Sequence, residues 1–262
     1  MFAKRLPGGA PMLLSVIIPT WNVAADLPAT VVALRNEIAR AATVKGLQAP
    51  ELEIVVADGG STDGTVEVAS ALGARVVSAD KARGAQLRAG ASAARGEWLL
   101  FLHADTRLGE SWAVRVAGFI ANPRHFGQAA VFRFRFDDDR PWARRLEMVV
   151  DRCGRWLALP SRDQGLLIGR EFYDVLGGYP DVAPVEDVEM LDRIGRERLC
   201  FLPVAAITPW ARYVREGTIP RMLRSFFCIA LWFLGIPAER IARIKAKLDP
   251  AEARTEAVSA SG

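Results

Sequence analysis

The chain has 262 residues, of which 51% are hydrophobic, and its formal net charge is +4. This length and composition suffice for a substantial buried core in one large domain, and so small a net charge does not by itself indicate a nucleic-acid-binding protein. The three cysteines, Cys153, Cys200 and Cys228, are odd in number and far apart, which argues against a disulfide framework or a zinc site and favours a cytoplasmic protein.

The first half of the chain alternates short apolar runs with segments of helical pattern, which is typical of a parallel sheet with crossover helices. Its predicted strands cover residues 13–18, 51–57, 75–78 and 97–102. Its predicted helices cover residues 27–42, 82–94 and a segment that leaves the turn at 58–64 and runs to about residue 72. We expect Pro19 to end the first strand. Three crossovers in this half predict a Rossmann-like arrangement.

The second half is less regular. Residues 130–136 alternate in polarity and predict a strand with one wet face, and residues 164–168 predict a return to the sheet. Residues 141–159 predict a helix with an arginine-rich surface, and residues 186–196 predict a short helix that runs from acidic to basic. We expect an α/β domain over residues 12–215, a C-terminal helical extension over 216–248, and flexible tails at 1–11 and 249–262.

The C-terminal extension contains nine uninterrupted apolar residues, 226–234, which are too few to cross a bilayer. Basic residues flank this run, and apolar residues recur after it at helical spacing. The segment would therefore suit contact with an anionic membrane surface at the inner face of the membrane. Packing on the sheet or on a second subunit as a homodimer contact is the alternative.

The apolar run 98–102 ends abruptly in His103, Ala104 and Asp105. A carboxylate at the end of a buried strand needs a cation, a ligand or water, so Asp105 is expected where the strand reaches the surface. An extended backbone would place His103 and Asp105 on the same side. Ligands bind at this carboxyl edge of a parallel sheet, and the sequence therefore predicts a site for a metal and a phosphate.

Polar segments also follow the first two predicted strands, at residues 19–22 and 58–64. Because the strands are expected to be parallel, these segments should meet residues 103–105 in one crevice. The first strand is not followed by Gly-x-Gly-x-x-Gly, which argues against nicotinamide or flavin binding, and the chain has no Gly-Lys-Ser/Thr phosphate loop.

Seven motifs follow one another in an order that is informative as a set. They are SVIIPTWN at 15–22, DGGSTDGT at 58–65, AARGEW at 93–98, HAD at 103–105, RDQG at 162–165, GGYP at 177–180 and ED at 186–187. This set resembles the family 2 glycosyltransferases of GT-A fold, and its variant spellings resemble the subgroup associated with arsenosugar biosynthesis. The resemblance implies an α/β fold with a mixed, mostly parallel sheet flanked by helices. It also implies inverting, hexosyltransferase-type transfer from a nucleotide-diphosphate sugar with a divalent cation, Mn²⁺ or Mg²⁺.

On the donor side, the resemblance implies that Trp21 stacks on the nucleotide base, with Pro19 and Thr20 beside it. Asp58 would accept a hydrogen bond from the edge of the base. Arg83, at the start of the predicted third helix, would face the phosphates, where backbone donors and the helix dipole also favour an anion. The alternatives are that Trp21 belongs to the core and that Asp58 caps the following helix, the latter being compatible with base binding.

For the chemistry, Asp105 matches the last acid of the family's Asp-x-Asp, which holds the cation on the donor diphosphate. His103 departs from the first acid, and its imidazole would ligate Mn²⁺ or would hydrogen-bond the ribose or a metal-bound water. In the Glu-Asp pair, Asp187 would be the general base and Glu186 its support. The alternative is that Glu186 and Asp187 are only the first-turn acids of a helix.

Three other functions stay in view. A sugar-phosphate nucleotidyltransferase would open with a glycine-rich loop that is missing here. A nucleotide-sugar-binding module without catalysis would retain the donor contacts while His103 abolishes activation by the metal. Nucleic-acid binding is least favoured, because acidic residues 137–139 interrupt the arginine-rich stretch. The acceptor, whether small molecule, lipid or glycan, has no recognisable code in the sequence.

Overall fold

The computed structural model describes residues 11–180 and 185–211, together with residues 227–228, 230–231, 234–237, 240–241 and 243–244. Both predicted tails therefore lie almost entirely outside the described residues, as does the greater part of the predicted C-terminal extension. Within the described ranges, no helix is long and apolar enough to cross a membrane.

The described part of the chain contains a mixed sheet of eight strands. They are β1 (Leu13–Thr20), β2 (Glu51–Asp58), β3 (Arg75–Ser78), β4 (Trp98–Phe101), β5 (Arg107–Leu108), β6 (Ala129–Phe136), β7 (Leu166–Gly169) and β8 (Leu199–Thr208). Their spatial order is β3-β2-β1-β4-β7-β6-β8-β5. The pairs among β3, β2, β1 and β4 are parallel, as is β6 with β8, whereas β7 runs antiparallel to both of its neighbours and β5 runs antiparallel to β8.

Helices cover both faces of this sheet. They are α1 (Leu27–Ala42), α2 (Thr65–Ala71), α3 (Arg83–Ala93), α4 (Trp112–Ile120), α5 (Pro141–Leu157), α6 (Arg170–Val175) and α7 (Glu186–Ile194). Short 3₁₀ helices lie at Pro123–His125, Arg162–Gln164 and Arg196–Arg198. The prediction of a mixed, mostly parallel α/β sheet flanked by helices is confirmed.

Alternating residues of the central strands feed two separate cores. Val16 and Ile18 of β1 point into a core formed with α1 and α4. Ile17, between them, points to the other face and packs with side chains of α3, α6 and α7. Because successive side chains of a strand point to opposite sides, a strand covered on both faces is apolar throughout. This explains the unbroken apolar runs in the sequence.

The expected end of the first strand at Pro19 is wrong, since β1 continues to Thr20. Proline is tolerated here because of where its nitrogen points. The Ile17 carbonyl accepts from Leu102 N, so this side of β1 faces β4, and Pro19, two residues on, faces the same way. β4 has ended at Phe101, so the missing N–H of Pro19 costs no ladder hydrogen bond.

Four elements, β5, α4, α6 and β8, were not among the predicted ones. The most consequential is β8, which runs beside β6 and contains Pro203. Proline normally argues against an interior strand. The register between β6 and β8 shifts in the region of Pro203, between Val131 and Arg133, and such a local irregularity accommodates a residue without an N–H.

Gly90 allows α3 to lie close to the sheet. A Cβ atom at this position would be 2.4 Å from Cγ2 of Ile17 and 3.4 Å from Cβ of Ala57. Ile17 is fully buried on a central strand and has little room to move. By contrast, Gly118 lies on the exposed side of α4, and a Cβ there would meet no atom within 4 Å.

We therefore expect Gly90→Ala to lower the free energy of unfolding by about 1–3 kcal/mol, because the added methyl overpacks the helix–sheet contact. Gly118→Ala is the matched control and should raise it by roughly 0.5–1 kcal/mol, because alanine restricts the unfolded chain at a helical position. Urea unfolding measures both. A Gly90→Ala protein as stable as the parent would contradict the close packing of α3.

Candidate active site

The segments that follow β1, β2 and β4 lie at one edge of the sheet, as the parallel pairing requires. The first two segments are joined directly by hydrogen bonds. Asn22 N donates to Ser61 Oγ at 2.9 Å, and Thr62 N donates to Asn22 Oδ1 at 2.8 Å. Asn22 has a φ of 52°, a left-handed conformation that asparagine tolerates better than most residues. These two loops therefore form one wall of the crevice.

Asp58 is the centre of this wall. Its Oδ1 accepts from Thr20 Oγ1 at 2.9 Å and from Ser61 Oγ at 2.5 Å, and its Oδ2 accepts from the N–H groups of Gly60 and Ser61 at 3.0 and 2.8 Å. Burial acts to raise the pKa of Asp58, but the hydrogen bonds from Ser61, Thr20 and Gly60 outweigh it and lower that pKa. With all four acceptor positions occupied, a bond from a nucleotide base would have to replace one of these contacts.

The helix-cap alternative for Asp58 is wrong. The N-cap position of α2 is Gly64, and the carboxylate that accepts the N–H of Thr65, at 3.1 Å, is that of Asp63. Asp58 instead closes the turn that begins at its own position, in the manner of an Asx turn.

Trp21 lies at the rim of the crevice and is 47% exposed, so the alternative that it belongs to the core is also wrong. The ammonium of Lys81 lies 3.4 Å from the centroid of its ring. A cation over the face of an indole is attracted by the ring quadrupole. Trp21 and Lys81 together place an aromatic surface and a positive charge where the strands β1 and β2 end.

Gln86 of α3 lies at the site, although the sequence favours a solvated helix face for it over a place in the site. Its side chain is buried, and Nε2 donates to the carbonyl of Thr20 at 2.6 Å and to that of Ala57 at 3.3 Å. It thereby fixes the ends of β1 and β2 relative to α3. This positions Arg83, which begins the same helix.

Arg83, at the start of α3, contacts residues at the end of β4 and at the start of α7. Its Nη1 lies 2.7 Å from His103 Nε2, and its Nε lies 3.2 Å from Glu186 Oε1 and 3.4 Å from Asp187 Oδ2. The end of β4 and the start of α7 are therefore neighbours. Gly84 allows this approach, since a Cβ at that position would lie 2.3 Å from the carbonyl oxygen of Pro180.

The acid pair at the start of α7 is unequal in its surroundings. Glu186 is almost completely buried, and burial, reinforced by the charge of Asp187, raises its pKa. Asp187 is more exposed and lies 3.4 Å from the hydroxyl of Tyr179 and 4.0 Å from Nε of Arg162. Burial and the neighbouring Asp187 raise the pKa of Tyr179 well above its usual value, so its hydroxyl keeps its proton and donates. The pair does form the first turn of a helix, but it also faces the site.

His103 lies in a turn and not in an extended strand, because β4 ends at Phe101 and Thr106 N donates to the His103 carbonyl at 3.2 Å. The predicted extended backbone through residue 105 is therefore wrong. An arginine N–H can only donate, so His103 Nε2 accepts in its contact with Arg83. The buried carboxylate of Asp163, from the 3₁₀ helix at 162–164, lies 3.6 Å from the same nitrogen.

These residues fit a divalent cation in part. Within the described ranges, no three His, Cys, Asp or Glu side chains are arranged to hold a metal ion, so the protein would offer fewer ligands than that. A carboxylate completed by phosphate oxygens and water is an ordinary arrangement for Mg²⁺. Asp105, half-buried in the turn after β4, suits that role. His103 would suit it only after Arg83 withdraws from Nε2.

Comparison with known proteins agrees with this arrangement. Residues 15–179 match the glycosyl transferase family 2, and the chain belongs to this family. Among curated proteins, PGL/p-HBAD biosynthesis glycosyltransferases of Mycobacterium bovis and Mycobacterium tuberculosis are 42% identical to it over 119 residues. The match covers 42% of this chain and 42% of the relative, so the chain aligns with less than half the length of these proteins.

Two solved structures share the fold. One is a mannosyltransferase from Pyrobaculum calidifontis in complex with GDP-Man and Mn²⁺, with a TM-score of 0.60, 19% identity, and coverage of 98% of this chain and 77% of that chain. The other is glucosyl-3-phosphoglycerate synthase from Mycobacterium tuberculosis with Mn²⁺, UDP and glucosyl-3-phosphoglycerate, with a TM-score of 0.54, 22% identity, and coverage of 90% and 88%. The GT-A-like fold of the chain is thereby established.

The contacts of Asp58 predict a pH-dependent effect of Asp58→Asn. At neutral pH the substitution should lower the free energy of unfolding by about 1.5–3 kcal/mol, because an amide cannot accept all the donors that the carboxylate accepts. A carboxyl group whose pKa is lowered by folding stabilises the protein above its unfolded value, near 3.8, and loses this effect as the pH falls below it. The difference between parent and variant should therefore shrink in that acidic range.

Urea unfolding at several pH values measures this difference. Ser61→Ala serves as a control that removes one donor and leaves the carboxylate, and it should cost less than Asp58→Asn. A difference that stays constant down to the most acidic condition would show that the hydrogen bonds to Asp58 are not charge-dependent.

Proposed function

We propose that this chain transfers a sugar from a nucleotide-diphosphate donor to an acceptor hydroxyl, with inversion at the anomeric carbon and with the help of a divalent cation. The observation that carries the proposal is the position of Arg83. Its guanidinium contacts His103 beside the candidate metal position and also both members of the Glu186–Asp187 pair. The Arg83 guanidinium thus contacts both the groups suited to a departing diphosphate and the groups suited to an incoming alcohol.

On the donor side, Trp21 offers its exposed ring to the base, and Pro19 and Thr20 form the adjacent strand end. Lys81 and Arg83 carry positive charge toward the place of the phosphates, and Arg83 begins α3, where the helix dipole also favours an anion. Asp105, with His103 as a further candidate, would hold the Mn²⁺ or Mg²⁺ ion. When bound, the cation neutralises the charge that builds up on the leaving diphosphate.

Asp187 is the proposed general base. As the acceptor oxygen bonds to the anomeric carbon, the bond from that carbon to the phosphate oxygen breaks, and the hydroxyl proton passes to Asp187. A single in-line displacement of this kind inverts the centre. Tyr179 donates to Oδ1 and leaves Oδ2 on the side of Arg83. Glu186 supports the base by holding the guanidinium from within the protein.

Arg83 also offers a reason why donor and acceptor chemistry would be coupled. While it pairs with Asp187, it occupies the side of Oδ2, the oxygen that would take the proton of the acceptor. A diphosphate is a stronger attractor for a guanidinium than one carboxylate. A bound donor would therefore draw Arg83 toward the phosphates and leave Oδ2 of Asp187 open when the acceptor arrives.

For the donor sugar and the acceptor, we propose a chemical class and no individual compound. The structures reported above hold GDP-Man in one case and UDP in the other, which supports a nucleotide-diphosphate sugar as the donor class. The curated relatives reported above belong to PGL/p-HBAD biosynthesis and give no support for the arsenosugar subgroup, which stays a prediction. A binding module without catalysis is the rival that an activity assay must separate.

Loss of either proposed acid should abolish turnover in different ways. We expect Asp187→Asn to lower kcat by about 100-fold or more while nucleotide binding is kept, because only proton removal is lost. Asp105→Ala should remove the dependence on the metal together with most of the activity. The assay scores a panel of UDP- and GDP-sugars for hydrolysis in the presence of Mn²⁺, with nucleotide binding measured by calorimetry.

Asp192→Asn is the matched control, because Asp192 lies on the exposed side of the same helix α7 as Asp187. Its turnover should equal that of the parent. A parent protein that binds nucleotide but releases no diphosphate with any donor would instead be a binding module. Full activity of Asp187→Asn would rule out its role as the base.

Removal of the Arg83 charge should move the acid limb of the pH–rate profile. Arg83 acts to lower the pKa of Glu186, against burial and Asp187, which raise it. In Arg83→Met, Glu186 should be protonated at higher pH than in the parent, so the loss of kcat on the acid side should begin at higher pH. Arg88→Met is the control on the same helix, since Arg88 donates to the carbonyl of Tyr179. Equal acid limbs in the two variants would contradict the pairing.

A further inference from the structure

The outward side of α5 is unusual for a helix on a protein surface. Its solvent-facing residues recur at helical spacing and form what we call the outer face: Trp142, Arg145, Met148, Val149, Arg152, Arg155 and Trp156. Four of them are large and apolar, with exposed fractions of 38% for Trp142, 51% for Met148, 50% for Val149 and 73% for Trp156. Single exposed apolar residues are ordinary, but a continuous set marks an interaction surface.

The opposite side of α5 already accounts for its attachment to the sheet. Ala143 is buried against Phe134 and Phe136 of β6, and Leu146 packs on the same cluster. The buried carboxylate of Glu147 accepts from Phe136 N at 2.7 Å. The outer face is therefore not needed to hold the helix in place.

The charge of the outer face is of one sign. It carries three arginines and no acid. Beside the face, the carboxylate of Asp151 pairs with Arg155 at 3.1 Å, and the Arg155 guanidinium also lies 4.5 Å from the ring centroid of Phe201. Arg145 and Arg152 remain as the exposed positive charges along the middle of the face.

The tryptophans mark its two ends. Trp142 and Trp156 are fourteen residues apart, which is about 21 Å along a helix. The ring of Trp142 is steadied by an edge contact with Trp210 at 4.2 Å between centroids. Aliphatic side chains between two indoles, with arginines among them, are the combination that lies in the headgroup region of a bilayer. The exposed side chains of Met148 and Val149 are apolar and cannot bind the phosphates of a nucleic acid.

We propose that the outer face of α5 binds an anionic membrane surface, with Trp142 and Trp156 in the interfacial region and the arginines at lipid phosphates. Trp156 and Arg162 of the candidate site are six residues apart, so at most about 22 Å of chain separates this end of the face from the site. This inference goes beyond the proposed sugar transfer and does not depend on it, because lipid binding is measured without donor or turnover.

Vesicle sedimentation of the full chain tests the proposal, with one set of vesicles of phosphatidylcholine and another of phosphatidylcholine mixed with phosphatidylglycerol. The parent should partition onto the mixed vesicles, with a shift of tryptophan fluorescence to shorter wavelength. The double variant Val149→Gln with Trp156→Gln should lower the partition coefficient about tenfold or more, because most of the inserted apolar area is removed. Arg145→Gln with Arg152→Gln should abolish only the preference for phosphatidylglycerol.

Two matched controls separate this face from other exposed apolar residues. Val175→Gln alters a valine of α6 that is as exposed as Trp156, and Leu234→Gln alters the exposed leucine that ends the C-terminal apolar run 226–234. Both should bind vesicles like the parent, and circular dichroism should show all variants folded.

Three results would overturn the proposal. The α5 variants could bind vesicles as the parent does, or Leu234→Gln could abolish binding while the α5 variants retain it, which would assign the membrane contact to the C-terminal segment. Light scattering could also show a dimeric parent that binds no vesicles and becomes monomeric in the α5 variants, which would make a second copy of the chain the partner of this face.

Discussion

The site depends on one guanidinium held among three acceptors. Arg83 lies within 3.4 Å of Glu186 and Asp187 and donates to His103. A carboxylate as deeply buried as that of Glu186 carries a heavy desolvation penalty, which a paired cation offsets. The approach of α3 to the 177–180 segment, through Gly84, brings that cation into place. At this edge of the sheet, the close packing of α3 places Arg83, and the contacts with the two acids hold its guanidinium.

The wall formed by the loops after β1 and β2 is rigid for a different reason. The hydroxyls of Thr20 and Ser61 both donate to Asp58. From α3, Gln86 donates to the carbonyls at the ends of β1 and β2. Every acceptor of Asp58 is used inside the protein, so its first effect is to hold the loop that carries Trp21 and its neighbours. Preorganised loops on a rigid sheet edge lose little entropy when a ligand binds, which favours recognition of an extended donor.

The sequence correctly predicts those elements whose limits depend on residue periodicity and composition. Helix α1 and strand β3 have the predicted limits, since each is a clear run between turn residues. Strand β8 was missed because Pro203 interrupts it, and its tolerance depends on a register shift against β6 that no local pattern reveals. A solvated helix face was wrongly favoured for Gln86 for a similar reason. Its role follows from two carbonyls, of Thr20 and Ala57, that are distant in sequence.

The same distinction explains position 103. By motif alone, a histidine in place of an acid removes negative charge from the cation site. In space, Asp163 lies 3.6 Å from His103 Nε2, supplied by the 3₁₀ helix that follows α5. A carboxylate is therefore present beside the imidazole, although position 103 itself lacks one, and it lies at the nitrogen that also accepts from Arg83. The histidine therefore does not leave this edge of the sheet without a carboxylate.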